Sequence, residues 1–284
     1  MIMSLNSFGL DAFYMCAQEK NFTRAAQKLN ITQSAFSQRI KNLEDEISTT
    51  LFIRERKGIR LTEAGEKLLR YCQTRLQLEQ ELLGTVIHKS QEVSGVLRVA
   101  GYSTVVRSVL LPTMQALQQI TQKIQFQLIS KETFDLLNEL QSSKVDFVLI
   151  DKKIEKEGLE SLLLGHESYV RIRKSGSEFS GYFLDHDEQD ETTIKYLKVK
   201  SGSKIKRHYF DDIYGILDGV KLGLGDAIVP LHLIKNLKGL EVVKDSREFK
   251  IPVYLNFYQQ PVQTQLAKVF IEKIKIVAGE ILGG

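Results

Sequence analysis

Apolar and polar positions alternate with a helical period at the start of this chain and switch to a mixed strand-and-helix texture after about residue 95. In 22–43, FTRAAQKLNITQSAFSQRIKNL, Ala25, Ala26 and Leu29 fall on one helical face. Asn30 and Ile31 break the pattern, since Asn tolerates turn conformations. A second amphipathic run comes next, with Ala35, Phe36, Ile40 and Leu43 predicted to face inward. Thr23 and Thr32 are the predicted N-caps, because a threonine hydroxyl accepts a first-turn N–H. The outer face of the second run carries Gln33, Ser34, Ser37, Gln38 and Lys41, with Arg39 flanking. Short polar side chains at this spacing can reach base edges, and cations can reach phosphates. The pattern predicts a helix-turn-helix whose second helix enters a major groove. The alternative is an amphipathic helical hairpin that binds nothing.

The segment after this helical pair favours DNA. Leu51–Ile53 and Ile59–Leu61 read as two short strands around a charged turn, a β-hairpin wing. Arg54, Arg56, Lys57 and Arg60 sit where a wing meets phosphates or the minor groove. Thr62 to about Ser90 lacks proline and is rich in helix formers, with Thr62 as its cap. Leu69, Cys72, Leu76, Leu83 and Val86 recur at roughly heptad positions, with Glu79 interrupting one layer. So long a helix cannot bury its stripe within a small domain, and pairing with a second copy is the expected solution. Packing against the chain's own C-terminal region is the alternative.

From Gly95 the chain reads as alternating strands and helices. Strands are expected at 96–100, 124–129, 145–150, 162–164, 169–173, 181–184, 195–199, 227–229 and 253–258. Helices are expected at 108–120, 134–141, 209–222, 231–237 and 267–282. Buried apolar strands between helices argue for a largely parallel sheet, here in two lobes with a cleft between them. In such sheets ligands meet the loops at the carboxyl ends of strands: Gly101–Thr104, Ser130–Thr133, Asp151–Lys152 and Lys200–Ser203. Tyr102, Ser103, Thr104, Lys131, Glu132, Thr133 and Ser201 are therefore candidate ligand contacts. The hydroxyls of Ser103 and Thr104 are candidates for an anionic head group. Plain helix capping is the alternative.

Composition narrows the class. The 284 residues allow two or three compact units. A net charge of +4 is too mild to identify a nucleic-acid binder by itself, so the local charge of the wing matters more. The first ten residues lack a basic segment followed by an apolar run. No apolar stretch reaches the ~18 residues of a membrane span. A cytoplasmic protein is expected. The two cysteines, Cys16 and Cys72, read as small buried hydrophobes in a reducing compartment. The five histidines have no ligand spacing, so no metal site and no cofactor are expected. Gly223-Leu224-Gly225-Asp226 begins like a dinucleotide fingerprint but lacks the third glycine. No GxSxG, Walker A or HExxH motif is present, so an enzyme is not expected.

Residues 13–65 resemble the DNA-binding region of the LysR-type transcriptional regulators. The match rests on Phe13, Phe22-Thr23-Arg24-Ala25-Ala26, Leu29, Ile31-Thr32-Gln33-Ser34-Ala35, Ser37, Ile40, Leu43-Glu44, Leu51-Phe52, Arg54 and Leu61-Thr62-Glu63-Ala64-Gly65. One departure stands out: Ile47-Ser48 replaces the family's usual Leu-Gly pair. Glycine there would serve as a C-cap at positive φ, a conformation that costs serine a steric penalty, so an altered wing angle is expected. The resemblance continues more weakly through Leu110-Leu111-Pro112, the Leu136-Leu137…Leu140…Val145-Asp146 pattern and Val220-x-x-Gly223-x-Gly225. It implies a winged helix-turn-helix domain over 1–61, a dimerising linker helix over 62–90, and an effector-binding domain over 91–284. That last domain resembles periplasmic solute-binding proteins, with lobe I over 95–164 plus 250–284 and lobe II over 165–249. It adds Gly225 to the candidate effector contacts.

The implied partners are double-stranded DNA with dyad-related half-sites, a small-molecule effector, a second copy of the chain in a dimer or tetramer, and RNA polymerase as a candidate. The expected DNA contacts are Thr32, Gln33, Ser34, Ser37, Gln38, Lys41, Arg54, Arg56, Lys57 and Arg60. Ala25–Leu43 and Phe183–Asp187 are similar to the subgroup regulating basic-amino-acid export. That similarity would bring Glu132, Asp185 or Asp187 to a cationic ligand group; a solvated acidic loop is the alternative. A solute-binding protein and a non-specific nucleoid protein are the competing binding classes. The missing signal peptide and the helical hairpin argue against the first, and the polar face of the second helix favours sequence-specific reading over the second.

Overall fold

A computed structural model describes residues 5–55, 58–88, 93–131, 133–200, 204–235, 237–244, 249–260 and 262–283. The chain divides into two compact units: Met1–Gly95 with Gln141–Lys144, and Val96–Leu140 with Val145–Gly284.

The first unit opens with α1 (Ser7–Glu19), which the sequence pattern did not reveal. Helix α2 (Phe22–Lys28) and helix α3 (Gln33–Glu46) form the expected hairpin. The cap of α2 is Asn21, whose side chain accepts the Arg24 N–H, and not Thr23, which lies one residue inside the helix. Asn30 takes the turn at φ 54°. Thr32 caps α3 by accepting the Ala35 N–H at 3.2 Å. On α3, Phe36, Ile40 and Leu43 are buried, but Ala35 is exposed, so the inward stripe is narrower than expected. The wing is β1 (Phe52–Glu55) antiparallel to β2 (Gly58–Leu61). Phe13, Phe22, Phe36 and Phe52 bind the layers through ring contacts of 5.2–5.8 Å between centroids.

Helix α4 (Glu63–His88) comes next, capped by the Thr62 hydroxyl on the Gly65 N–H. Its 26 residues span about 39 Å at ~1.5 Å each. The heptad stripe is divided between two environments. Leu69 and Cys72 are buried in the core beneath α1, so they are not available to a second copy. Farther along, Leu82, Leu83 and Val86 are each more than half exposed.

In the second unit β3 (Gly95–Gly101) leads into one helical run: α5 (Ser103–Val105), a π turn (Val106–Leu110) and α6 (Leu111–Gln118). The run starts five residues before the expected helix, and Pro112 occupies the first turn of α6. Strand β4 (Ile124–Ser130), helix α7 (Thr133–Gln141) and strand β5 (Phe147–Ile150) complete this part. Next comes β6 (Leu159–Lys174), a single long strand where the pattern had suggested two. Beyond it lie β7 (Phe183–Asp185), α8 (Thr192–Leu197), β8 (Arg207–Tyr209), α9 (Ile213–Leu222), β9 (Asp226–Pro230), β10 (Leu240–Val242), β11 (Phe249–Tyr258) and α10 (Gln265–Leu282).

Several expectations do not hold. Residues 195–199 are not a strand, because Lys195 and Leu197 lie in α8. That helix is supported by the Thr193 hydroxyl on Asp185, buried Tyr196 and the Lys195–Glu191 pair at i,i+4. A five-residue window cannot separate the two periods. Tyr209 belongs to β8, so the helix expected from 209 begins at Ile213, where Asp212 caps it. The helix expected at 231–237 is a three-residue 3-10 turn.

The sheet is mixed rather than largely parallel. Its order is β4-β3-β5-β11-β6-β9-β7-β8, with β10 beside β6. Strands β3 and β5, β7 and β8, and β7 and β9 pair in parallel. Strand β11 is antiparallel to β5 and β6, and β6 is antiparallel to β9 and β10. The long pair β6–β11 runs through both halves. Its register shifts between Val253 and Tyr254, opposite Gly165 at φ 149°. A Cβ at Gly165 would lie 2.9 Å from the Leu282 Cβ. Glycine is therefore needed where the strand turns from one half to the other.

Candidate DNA interface and effector cleft

On α3 the side chains of Thr32, Gln33, Ser34, Gln38 and Lys41 are exposed, and Ser37 is half-buried. They form one polar face opposite Phe36, Ile40 and Leu43. Thr32 Oγ1 lies 3.1 Å from Ser34 Oγ. Gln38 Nε2 donates to Asn42 Oδ1 at 2.7 Å, a contact the sequence pattern did not single out. This leaves the Gln38 carbonyl oxygen and a second N–H free of that bond. The Arg39 guanidinium lies 5.2 Å from the Phe8 ring centroid.

In the wing, Arg54 sits 5.1 Å over the Phe22 ring, and Arg60 Nε meets Glu55 Oε1 at 3.1 Å. Arg56 and Lys57 lie outside the described residues. Ser48 takes φ 51°. Around it Thr49 N–H donates to Glu44 O at 3.0 Å and Ser48 N–H to Asp45 O at 3.2 Å, the two bonds of a Schellman closure. Serine therefore adopts the backbone conformation that a glycine would favour. The Glu44 carboxylate reaches on to the N–H groups of Leu51 (2.7 Å) and Phe52 (3.4 Å), tying the start of the wing to α3.

The second unit holds a cleft of about 540 Å3. Tyr102, Ser103 and Thr104 line it from the β3–α5 connection. Asp151 enters from the end of β5, and Glu167 and Tyr169 from β6. The β7–α8 segment contributes Asp185, Asp187, Asp190 and Glu191, and the α9 approach contributes Asp211 and Asp212. Apolar lining comes from Ile213, Ile216, Ile228, Pro230, Phe249 and Ile251. Of the other sequence-derived candidates, Lys131 does not line the cleft; its ammonium pairs with Glu139 at 2.6 Å. Gly225 does not line it either; a Cβ there would meet Tyr182 O at 2.8 Å, so it is a packing glycine. Glu132 and Ser201 lie outside the described residues, as does the side chain of Thr133.

Among the lining residues Glu167 is fully buried in mid-strand, and it was missed from the sequence because nothing local marks it. Its carboxylate accepts from Thr104 Oγ1 (2.8 Å), Tyr102 OH (3.0 Å) and Tyr169 OH (3.3 Å). His232 Nε2 lies 2.8 Å away, and His232 Nδ1 lies 2.8 Å from Ser108 Oγ in the π turn. Burial, and then the Glu167 charge, push the Tyr102 and Tyr169 hydroxyls well above the ordinary tyrosine pKa, so both remain donors. Burial also raises Asp185, opposed by its bonds from Thr193 and Arg207. Among the described residues there is no group of three or more His, Cys, Asp and Glu side chains arranged to hold a metal, and no helix long and apolar enough to cross a membrane.

A helix-turn-helix with a polar outer face and a β-hairpin wing, joined in one chain to a mixed α/β unit with a cleft, defines the class of ligand-responsive DNA-binding regulators. Residues 9–66 match the bacterial regulatory helix-turn-helix protein, lysR family, and residues 90–178 match the LysR substrate binding domain. The chain belongs to the LysR family and is a DNA-binding transcriptional regulator with an effector-binding domain.

Its relatives include the HTH-type transcriptional regulators HdfR of Yersinia pestis and Yersinia pseudotuberculosis. Each is 28% identical over 205 residues, covering 72% of this chain and 67% of the relative. Among solved structures, full-length LysG of Corynebacterium glutamicum with bound effector Arg superposes at a TM-score of 0.79. That match has 18% identity over 98% of this chain and 99% of LysG. ArgP of Mycobacterium tuberculosis gives 0.79 and 18% over 99% of this chain and 100% of ArgP. DarR of Vibrio fischeri in complex with DNA gives 0.53 and 20% over 97% and 99%.

Proposed function

We propose that α3 reads base edges through Gln33, Ser34, Ser37 and Gln38, with Thr32, Lys41, Arg54 and Arg60 on phosphates. We assign residues 1–61 to DNA binding, 62–90 to dimerisation and 91–284 to effector binding. The exposed end of α4 is the dimerising surface: Leu82, Leu83 and Val86 are left uncovered within one chain, and a dimer brings two recognition helices to dyad-related half-sites. The effector occupies the cleft and carries positive charge. The observation that carries this reading is the lining itself: eight carboxylates against one lysine, Lys195, which is already paired with Glu191. The arginine effector in the LysG structure supports the same class of ligand.

Occupancy changes the relation of the lobes, and through the dimer the spacing of the recognition helices. A ligand achieves this only by its differential affinity for two arrangements. The protein acts by binding and not by catalysis, in the cytoplasm, a reading supported by relatives that are transcriptional regulators.

Fluorescence anisotropy on DNA from upstream of its own gene, with and without fractions of a cell metabolite extract, tests the reading. A cationic fraction should change DNA affinity. An unchanged affinity with every fraction would contradict a ligand-responsive regulator.

A further inference from the structure

One short turn from the second half of the sequence is part of the first unit: Gln141–Lys144, while the residues on either side of it lie in the second unit. Its bonds are to α4. Arg70 Nη1 donates to Gln141 O at 3.2 Å and to Ser143 Oγ at 3.1 Å. Gln73 Nε2 donates to Ser143 O at 3.1 Å, and Ser143 Oγ donates to Glu66 O at 3.3 Å. Ser143 is buried and holds a left-handed backbone at φ 55°. A residue with a Cβ keeps that conformation only where its surroundings impose it. Gln141 is the last residue of α7, and such a terminal carbonyl lacks a partner within its own helix. The Arg70 guanidinium therefore caps α7 and sets a positive charge at the negative end of its dipole.

The same helix backs the cleft. Leu136 and Leu140, one turn apart on α7, are buried in a core with Val148 and Ile150, and Tyr102 packs against that core. Tyr102 also lines the cleft, where its hydroxyl donates to Glu167 at 3.0 Å. A close-packed core transmits a displacement rather than absorbing it. Hydrogen bonds weaken steeply with distance and angle, so the end of α7 has two states, capped by α4 or released from it.

We propose that α7 and its closing turn carry the state of the cleft to α4, with Tyr102 at one end and Arg70 and Gln73 at the other. This rests on the cleft being the effector site. An effector that displaces Tyr102 shifts α7, breaks the Arg70 cap and frees α4, the helix that follows the wing. Spatial contact alone does not establish coupling; a double-variant cycle does. Operator DNA found by footprinting is titrated with full-length wild type, Tyr102→Phe, Arg70→Met and the double variant. Tyr102→Phe cuts the tie to Glu167 and should change operator affinity about fivefold or more in the wild-type background. In the Arg70→Met background the same change should shift it by less than about twofold, the scatter of independent sites. Gln73→Leu removes the other donor from α4 and should give the same pattern. Hydrogen exchange reads the coupling with α4 unaltered: in Tyr102→Phe, peptides over 134–145 and 66–75 should exchange faster than in wild type.

Equal effects of Tyr102→Phe in both backgrounds, or no effect in either, would overturn the proposal, and so would unchanged exchange in both peptides. If a metabolite fraction alters DNA binding while the cycle is additive, the route through α7 fails and the effector reading stands. If the cycle is coupled while no fraction has an effect, the effector reading fails and the link from Tyr102 to α4 stands. If neither is seen, both fail.

Discussion

Ser48 holds a left-handed backbone conformation for which serine is poorly suited, at φ 51°, because the closing turn of α3 and the two amides bound by Glu44 require it. A left-handed residue with a Cβ costs roughly 1–2 kcal/mol. Ser48→Gly should therefore raise thermal stability, and a lowered melting temperature would show that the serine side chain itself contributes. The departure at this position was legible in the sequence. The expected change in wing angle was not resolvable there, because Glu44, seven residues before Leu51, supplies the tie, and sequence spacing does not reveal it.

Cys16 and Cys72 are the chain's two thiols. Both are fully buried, and burial pushes each thiol up to about 12 from 9.0. Native protein at pH 8 should resist alkylation at both, and denatured protein should react at both; rapid native labelling would contradict the burial. Unfolded thiols ionise from about pH 9 and folded ones only near 12. Their burial therefore lowers stability progressively as pH rises through that window and leaves it unchanged below.

Among the elements, those with long periodic patterns were readable and those fixed by distant partners were not. Helices α2 and α3, the wing and α10 declare themselves through apolar spacing, and Thr32 and Thr62 also mark the starts of α3 and α4 as their caps. Helix α8 and strand β8 do not: their short segments are decided by Asp185, which accepts from Thr193 and from Arg207. The cleft shows the same division. The Tyr102–Thr104 turn is expected from its place after a strand, whereas Glu167 is defined only by the three hydroxyls and the histidine that converge on it.

The junction of wing and α4 makes a strict demand on one residue. A Cβ on Gly65 would lie 2.4 Å from the Leu51 carbonyl oxygen and 2.9 Å from Leu61 Cδ2. Gly65→Ala should force the wing away from the helix and cost on the order of 1–3 kcal/mol, as overpacking does. Chemical denaturation checks this, and an unchanged midpoint would contradict the contact. On the same helix Leu83 is exposed, so Leu83→Asp should leave the fold intact. Analytical ultracentrifugation should show its dimer weakened and titration its DNA affinity reduced; an unperturbed dimer would remove α4 from the interface.

In the whole molecule a helix-turn-helix unit, a long helix and an effector-binding domain are joined in one chain. The two family matches, over 9–66 and 90–178, supply the first and third parts. In the proposed function the outer face of α3 reads sequence rather than only neutralising phosphate. Each good bidentate base contact discriminates by about 1–3 kcal/mol, whereas phosphate contacts weaken all sequences alike. The most direct test compares full-length wild type with Gln38→Ala on operator DNA, identified by footprinting, and on random DNA of equal length at fixed salt. The variant should lose about tenfold or more of its preference for the operator while its affinity for random DNA is unchanged. An equal loss on both DNAs, or no loss on either, would contradict base reading by α3.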